Sequence, residues 1–268
     1  MARINVPAAC GGELTMNIRR IGVGAGNGPP VVMIHGLSAD NLSSLYYTLA
    51  PPLIGYADVI LYDLRGHGRS DRPPTGYGLD DTLQDLYALL DVLEVDQPIH
   101  LVGHSYGGAV SIAHALDRPE RTASMVLIEG HVARPGWAEY MAASIAFLAF
   151  SIERPEVLEW MAENGGRKGN RAMDDVRSLI NDTSWVHDIE HRTRTVTDDQ
   201  LRTIEVPALS IFGELSDVID SGREVAELMA DCTMEVVADQ NHSLLLPCAE
   251  MLGHRVDSWL RAQVSVEV

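Results

Sequence analysis

The feature that most constrains the fold is a series of short, continuously apolar runs separated by helical patterns. The runs are rich in β-branched residues. They occupy residues 31–34, 58–62, 99–102, 125–128, 208–212 and 234–237. Unbroken hydrophobicity over so few residues is typical of strands buried on both faces of a parallel sheet. Helical stripes of apolar residues lie between the runs, at residues 79–93, 106–116, 224–229 and 251–260.

This alternation predicts an α/β fold of right-handed βαβ units with a mostly parallel sheet. Residues 14–21 alternate between apolar and polar side chains, as an antiparallel edge pair would. The length of 268 residues suits a single large domain of this class.

The alternation stops between residues 134 and 203. This stretch is rich in helical pattern, holds Trp137, Trp160 and Trp185, and has no clear strand. Because it lies between two predicted strands, we expect an insertion over the carboxyl edge of the sheet, where open α/β sheets bind ligands. We predict a core of residues 1–133 and 204–268 and a helical cap, or lid, of residues 134–203.

The strongest chemical signal is Gly103-His104-Ser105-Tyr106-Gly107, which fits the pattern G-x-S-x-G. A buried strand precedes it and a helix follows it, as a nucleophile elbow requires. The sharp turn exposes the serine hydroxyl, and the flanking glycines keep the neighbouring backbone from clashing. We predict that Ser105 is a catalytic nucleophile.

A serine hydroxyl needs a base and a group that orients that base. His242 follows the last predicted strand and is the predicted base, because its loop lies at the same sheet edge as Ser105. Two carboxylates compete for the third place. Asp217 follows the strand that ends at residue 212 and gives the chain order serine, acid, histidine, so we prefer it. Glu129 ends the strand after the nucleophile's βα unit and is the alternative acid.

An oxyanion hole needs two N–H donors. The residue after the nucleophile, Tyr106, supplies one, and the turn that contains Gly36 presents the other from Leu37. We expect substrate contacts from four residues near these turns: Ser38, Tyr106, Glu129 and His131.

With these motifs, the sequence resembles the α/β-hydrolase superfamily, in its single-domain branch with a helical cap. Residues 35–37, 63–70, 103–108, 213–217 and 242 carry the resemblance. It implies an eight-stranded, mostly parallel sheet and an ester, thioester or lactone substrate. One departure concerns the acid, since many relatives place it three residues after the glycine, where this chain has Ser216. A serine nucleophile also argues against the dehalogenase and epoxide-hydrolase branches, which use aspartate.

Charge and composition limit the partners. The chain has 20 basic and 38 acidic residues, a formal net charge of −18, which argues against nucleic-acid binding. No apolar stretch reaches the roughly 20 residues of a membrane-spanning helix, so we expect no membrane insertion. The cysteines Cys10, Cys232 and Cys248 are far apart and no secretory signal pattern is present, which predicts a cytoplasmic protein. A monomer and a homodimer are both compatible with the sequence.

The predicted activity needs no cofactor and no metal. His187 and His191 fit the zinc-protease pattern H-x-x-E-H, but we interpret them as part of a polar helix surface. The leading hypothesis is a serine hydrolase of the carboxylesterase, thioesterase or lactonase type that forms an acyl-enzyme on a largely apolar small molecule. Two alternatives remain: a C–C hydrolase, lyase or cofactor-free perhydrolase with the same triad, and a ligand-binding protein without turnover.

Overall fold

A computed structural model describes residues 2–9, 11–164 and 166–266. Cys10 lies outside this range, and Cys232 and Cys248 are free thiols. The strands are β1 (Ala2–Pro7), β2 (Glu13–Gly22), β3 (Pro30–Ile34), β4 (Asp58–Tyr62), β5 (Ile99–His104), β6 (Thr122–Ile128), β7 (Ala208–Gly213) and β8 (Cys232–Val237). The helices are α1 (Leu42–Thr48), α2 (Leu79–Val92), α3 (Tyr106–Asp117), α4 (Trp137–Ile152), α5 (Pro155–Asn164), α6 (Gly166–Asp182), α7 (Trp185–His191), α8 (Asp198–Arg202), α9 (Ile219–Leu228) and α10 (Ala249–Val266).

The described strands form one eight-stranded sheet in the order β1-β2-β4-β3-β5-β6-β7-β8. β2 pairs antiparallel with β1 and with β4, and every later pairing is parallel. The prediction of an α/β fold with a mostly parallel eight-stranded sheet is confirmed. β1 is an additional strand that the apolar pattern did not indicate, and it forms the edge beyond β2.

Apolar side chains cover both faces of the sheet, as the continuous runs predicted. Along β3, Val32 and Ile34 belong to one buried cluster, and Val31 and Met33 belong to another. Because successive strand residues point to opposite faces, these clusters are the two sides of the core. The first includes residues of α2 and α3, and the second includes residues of α1 and α10.

The described residues between β6 and β7 form helices α4 to α8 and contain no strand. They are tied to the core by buried polar contacts. The Asp188 carboxylate on α7 accepts the backbone N–H groups of Gly76 and Tyr77, each at 2.9 Å. The N–H of Val196 also donates to the carbonyl of Ala133. The division at residues 134 and 203 stays a prediction. No helix in the described part of the chain combines the length and apolarity that crossing a bilayer requires.

Candidate active site

Ser105 lies on the sharp turn between β5 and α3. Its backbone has φ 53° and ψ −117°, a conformation that non-glycine residues rarely adopt. Such strain costs on the order of 1–3 kcal/mol and persists only where the surrounding structure fixes it. Here the Ser105 N–H donates to the carbonyl of Ile128, and the Ser105 carbonyl accepts the N–H groups of Gly108 and His131. The turn therefore presents the hydroxyl in a fixed direction.

The glycines of the turn are required by close packing. A Cβ on Gly107 would lie 2.1 Å from the carbonyl oxygen of Ile34, and one on Gly103 would lie 2.3 Å from the carbonyl oxygen of Gly107. Both distances are far below van der Waals contact. The sequence pattern around Ser105 thus reflects how tightly β3, β5 and α3 approach one another.

We expect Gly107→Ala to destabilise the protein and to lower activity, because the added methyl would push α3 away from β3. Overpacking of this kind costs typically about 1–3 kcal/mol and displaces the backbone that carries Ser105. Urea unfolding and ester-hydrolysis assays measure the two effects. Gly55→Ala is the matched control, since a Cβ there would meet nothing within 4 Å. Equal stability of both variants would contradict the packing argument.

His242 links Ser105 to a buried carboxylate. Its Nε2 lies 3.1 Å from Ser105 Oγ, and its Nδ1 lies 3.0 Å from Glu129 Oε2. The three residues come from the loops after β8, β5 and β6, at the carboxyl edge of the sheet. Because a carboxylate only accepts, Nδ1 carries the proton and the Nε2 lone pair faces the hydroxyl. The structure thus brings together the predicted nucleophile and the predicted base.

Glu129 is completely buried and is held by several donors. Its Oε1 accepts the N–H of Gly213 at 2.6 Å, and its Oε2 accepts the hydroxyl of Ser216 as well as the His242 ring N–H. Glu129 itself has a φ of 51°. Hydrogen bonds of this number stabilise an ionised carboxylate in a buried place.

Asp217, the preferred acid, contacts a different partner, while His242 lies against the alternative acid Glu129, so the choice between the two acids stays a prediction. The Asp217 carboxylate accepts the hydroxyl of Tyr140 on α4 at 2.6 Å, in an exposed position. Burial, together with this bond to an acid, raises the pKa of Tyr140 to about 12. Ser216, one residue earlier, is the side chain that turns inward, and it meets Glu129 rather than replacing it. Ser216 and Asp217 lie in a tight turn and point in different directions, so one position decides which side chain reaches Glu129.

The predicted oxyanion-hole residues lie beside Ser105. Tyr106 is the first residue of α3, so its N–H has no acceptor within the helix. The turn before Leu37 packs against the nucleophile, since a Cβ on Gly36 would lie 3.1 Å from Ser105 Cβ. Leu37 itself is partly buried against the core. This placement is compatible with N–H donation from both residues.

The predicted substrate contacts divide into two groups. Glu129 is fully buried behind His242, and the Tyr106 side chain is buried with its hydroxyl against that of Thr82, so neither side chain is open to a substrate. Ser38 has a positive φ of 69° and lines a cavity of about 400 Å³ between the core and α6. His131 is buried beside His242, with the two ring centroids 5.4 Å apart.

Most of the residues that line the cavity beside Ser38 are of polar or charged types. They include Asp40, Arg69, Arg171 and Asp175. Helix α4 contributes no residue to the lining of this cavity. Its Met141 and Ile145 are in the core, and its Phe147 and Phe150 are 71% and 69% exposed. The largely apolar substrate stays a prediction.

Three positions near His242 were not singled out as functional from the sequence. His104 stacks on His242 with ring centroids 6.1 Å apart, and its Nδ1 lies 3.3 Å from Asp40 Oδ2. Ser216 bonds Glu129, and Trp137 donates to His131. Of these three, Ser216 had a signal in the sequence, because it occupies the position where many related sequences have the triad acid.

The H-x-x-E-H pattern forms part of a helix surface. His187 and His191 on α7 are exposed and approach each other to 4.8 Å between ring centroids. Among the described residues, no group of three or more histidine, cysteine or acidic side chains is arranged to hold a metal ion.

Known proteins are similar to this chain in sequence and in fold. The sequence profile of the alpha/beta hydrolase fold matches residues 29–157. The chain is 30% identical to a non-heme chloroperoxidase of Streptomyces lividans over 255 residues, which cover 86% of this chain and 91% of that protein. It is 39% identical to a 2-hydroxy-6-oxo-2,4-heptadienoate hydrolase of Pseudomonas putida over 109 residues, 40% of this chain and 38% of that one.

A solved structure extends the likeness over the whole fold. An esterase of Thermogutta terrifontis superposes with a TM-score of 0.74 at 23% identity and covers 98% of this chain and 100% of that one. At this identity the likeness concerns the fold. Taken with the full-length similarity to the chloroperoxidase, it leads to one conclusion: the chain belongs to the α/β-hydrolase family.

Proposed function

We propose that the protein is a serine hydrolase in which Ser105, His242 and Glu129 form the catalytic triad. The observation that carries this proposal is the chain of two hydrogen bonds from Glu129 through His242 to Ser105. Each residue then has a defined task. Ser105 attacks the substrate carbonyl, His242 accepts the serine proton, and Glu129 orients the imidazole and stabilises its positive charge.

The reaction proceeds in two acyl transfers. Ser105 Oγ forms a bond to the carbonyl carbon as its proton moves to His242 Nε2, and the carbonyl oxygen becomes an oxyanion. The N–H groups of Leu37 and Tyr106 stabilise this charge. His242 then gives the proton to the leaving oxygen or sulfur, which departs and leaves an acyl-enzyme. Water attacks that ester with His242 again as base, and the acid is released with Ser105 regenerated.

Small carboxylic esters, thioesters and lactones are the substrate classes that this mechanism serves. The helical segment 134–203 would act as the cap that bounds the substrate space above the sheet edge. Its α6 supplies Arg171 and Asp175 to the wall of the cavity next to Ser38.

The test is covalent labelling with a fluorophosphonate probe, followed by peptide mapping and turnover assays on p-nitrophenyl esters and acyl thioesters. We expect one phosphonyl group on Ser105, and turnover of at least one ester class that the label abolishes. Inert Ser105 with intact folding would overturn the proposal. Labelling without turnover of any ester or thioester would favour a non-hydrolytic role for the same pocket.

Perhydrolysis is the second candidate, and the similarity to the non-heme chloroperoxidase over 86% of this chain favours it. In this reaction hydrogen peroxide replaces water as the attacker of the acyl-enzyme and a peracid leaves. The test adds peroxide, an acetate ester and bromide to a halogenation assay. Halogenation that depends on both the ester and Ser105 would support this activity, and its absence beside normal ester hydrolysis would exclude it.

C–C bond hydrolysis by the same three residues is a further candidate. The partial similarity to the heptadienoate hydrolase motivates it. The test offers the protein a 2-hydroxy-6-oxo-2,4-heptadienoate and follows the loss of its absorbance. This loss measures C–C bond hydrolysis separately from ester hydrolysis.

A further inference from the structure

His131 lies at the centre of the proposed site without belonging to the triad. It comes two residues after Glu129, and its backbone N–H donates to the carbonyl of Ser105 at 2.9 Å. Its ring meets that of His242 at an interplanar angle of 73°, in an edge-to-face contact. A charge on His131 would therefore act directly on His242.

The cap supplies the group that sets the protonation of His131. Trp137, the first residue of α4, donates its indole N–H to His131 Nδ1 at 2.9 Å. An indole nitrogen only donates, so Nδ1 must carry a lone pair. The neutral ring then keeps its single proton on Nε2. A second proton would have to enter at Nδ1, where the indole N–H already points.

Burial acts in the same direction. His131 is 5% exposed and Trp137 is 8% exposed. Desolvation, with the nearby His242 and His104, lowers the pKa of His131 to about 3, and the charge of Asp217 opposes this only in part. The remaining polar neighbours are the Tyr140 ring on α4 and, behind His242, Glu129. His131 is thus neutral wherever the enzyme would work.

We propose that Trp137 is a positioning residue that holds His131 as a neutral ring with its proton on Nε2, so that His242 can accept a proton beside it. The proposal rests on His242 acting as the base. When His242 becomes positive in the transition state, a second positive imidazole in ring contact would oppose that charge. The indole thereby connects the first turn of the cap to the chemistry at the sheet edge.

The direct test does not depend on activity. In protein labelled with ¹⁵N-histidine, long-range ¹H–¹⁵N correlation spectra report the tautomer of each ring, and His131→Gln assigns the signal. We expect His131 to show a proton on Nε2 alone and no titration between about pH 5 and about pH 9, the range in which a histidine with the ordinary pKa of about 6.5 titrates. In Trp137→Phe we expect mixed tautomers and the onset of protonation toward about pH 5, since burial, which phenylalanine preserves, still opposes the charge. A proton on Nδ1 in the unmodified protein, or an unchanged signal in the variant, overturns the proposal.

The kinetic test compares Trp137→Phe with the parent across pH. Phenylalanine keeps an aromatic ring against Tyr106, which stacks on Trp137 at 6.1 Å, but removes the N–H. We expect the ratio of kcat/KM, variant to parent, to fall between about pH 6.5 and about pH 5.5, because Nδ1 of His131 is then open to a second proton. The fall stays below about fivefold, the limit for a histidine with the ordinary pKa of about 6.5, since phenylalanine leaves the burial of His131 in place. A purely structural loss would lower kcat/KM by one factor at every pH.

Two further variants complete the test. Trp137→Phe combined with His131→Gln has no ring to protonate, so the extra loss on the acid side should disappear. Trp160→Phe removes an indole from α5, on an exposed part of the cap, and should give a ratio independent of pH. A ratio for Trp137→Phe that is flat with pH, or an acid-side loss that persists in the double variant, contradicts the proposal.

Discussion

Replacing Ser105 by alanine should lower kcat for ester hydrolysis by roughly a million-fold, the loss seen when a triad nucleophile is removed. The expected loss is large because His242 and Glu129 have no task once the hydroxyl is gone. The two flanking hydrogen bonds, at 3.1 and 3.0 Å, define one unit rather than independent contributions. Stopped-time assays with concentrated enzyme measure the residual rate.

Stability separates this effect from misfolding. Ser105 has a φ of 53°, which an alanine would strain equally and a glycine would relax. We therefore expect Ser105→Gly to be as inactive as Ser105→Ala but more stable in urea unfolding, by up to about 1–3 kcal/mol. Ser258→Ala, at an exposed serine on α10, should change neither property. Substantial turnover in Ser105→Ala would contradict the assignment of the nucleophile.

Glu129→Gln should lower kcat by about 10⁴-fold, the scale of a triad acid exchanged for its amide. The amide has no negative charge to stabilise the imidazolium. Its oxygen must take the place of Oε1 to accept the Gly213 N–H, which puts its NH₂ group in the place of Oε2, against the Ser216 hydroxyl and the N–H of His242. That contact favours the wrong tautomer, with the proton on Nε2 toward Ser105. Steady-state kinetics near neutral pH, with unfolding curves as a check, measure the effect.

Asp217→Asn is the matched comparison, because it makes the same chemical change at the other candidate acid. Its carboxylate contacts the Tyr140 hydroxyl, so we expect less than about a tenfold change in kcat, of the size of a modified surface hydrogen bond. A large loss at Asp217 with a small one at Glu129 would reverse the assignment.

A rescue experiment tests the contact between Glu129 and His242 by moving the carboxylate to position 216. The hydroxyl of Ser216 bonds the carboxylate oxygen that also binds His242. Glu129→Ala combined with Ser216→Asp should therefore recover part of the activity that Glu129→Ala loses. Failure of the double variant to exceed the single one, with both folded, would show that a carboxylate at position 216 does not reach the imidazole.

The sequence predicted the fold, and it placed Ser105 and His242 at one edge of the sheet, because those features depend on local pattern. Unbroken apolar runs located the parallel strands, and the turn around Ser105 is specified by glycines that no larger residue can replace. His242 could be placed because only one histidine follows the last strand in a loop. Edge strand β1 gave a weak pattern, since most of its side chains are exposed.

The identity of the acid depends on side-chain direction, which one sequence does not specify. Asp217 and Ser216 are adjacent, and a single residue of loop register separates a side chain that meets Glu129 from one that meets Tyr140. Glu129 contacts His242 from a backbone with φ 51°. Nothing in the sequence around this glutamate predicts that conformation. The apolar residues of α4 could not be assigned to the core or to the surface from the sequence, because some of them are buried and others are exposed.

If the triad acid comes from the end of β6, the loop after β7 can vary in sequence and length during evolution. In this proposal residues 214–217 carry no reacting group, and the hydroxyl of Ser216 connects them to Glu129. Asp217 can then contact the cap through Tyr140. Changes in the length or sequence of this loop beyond Ser216 would alter how the cap sits while leaving the proton path intact, so cap position and chemistry can diversify separately.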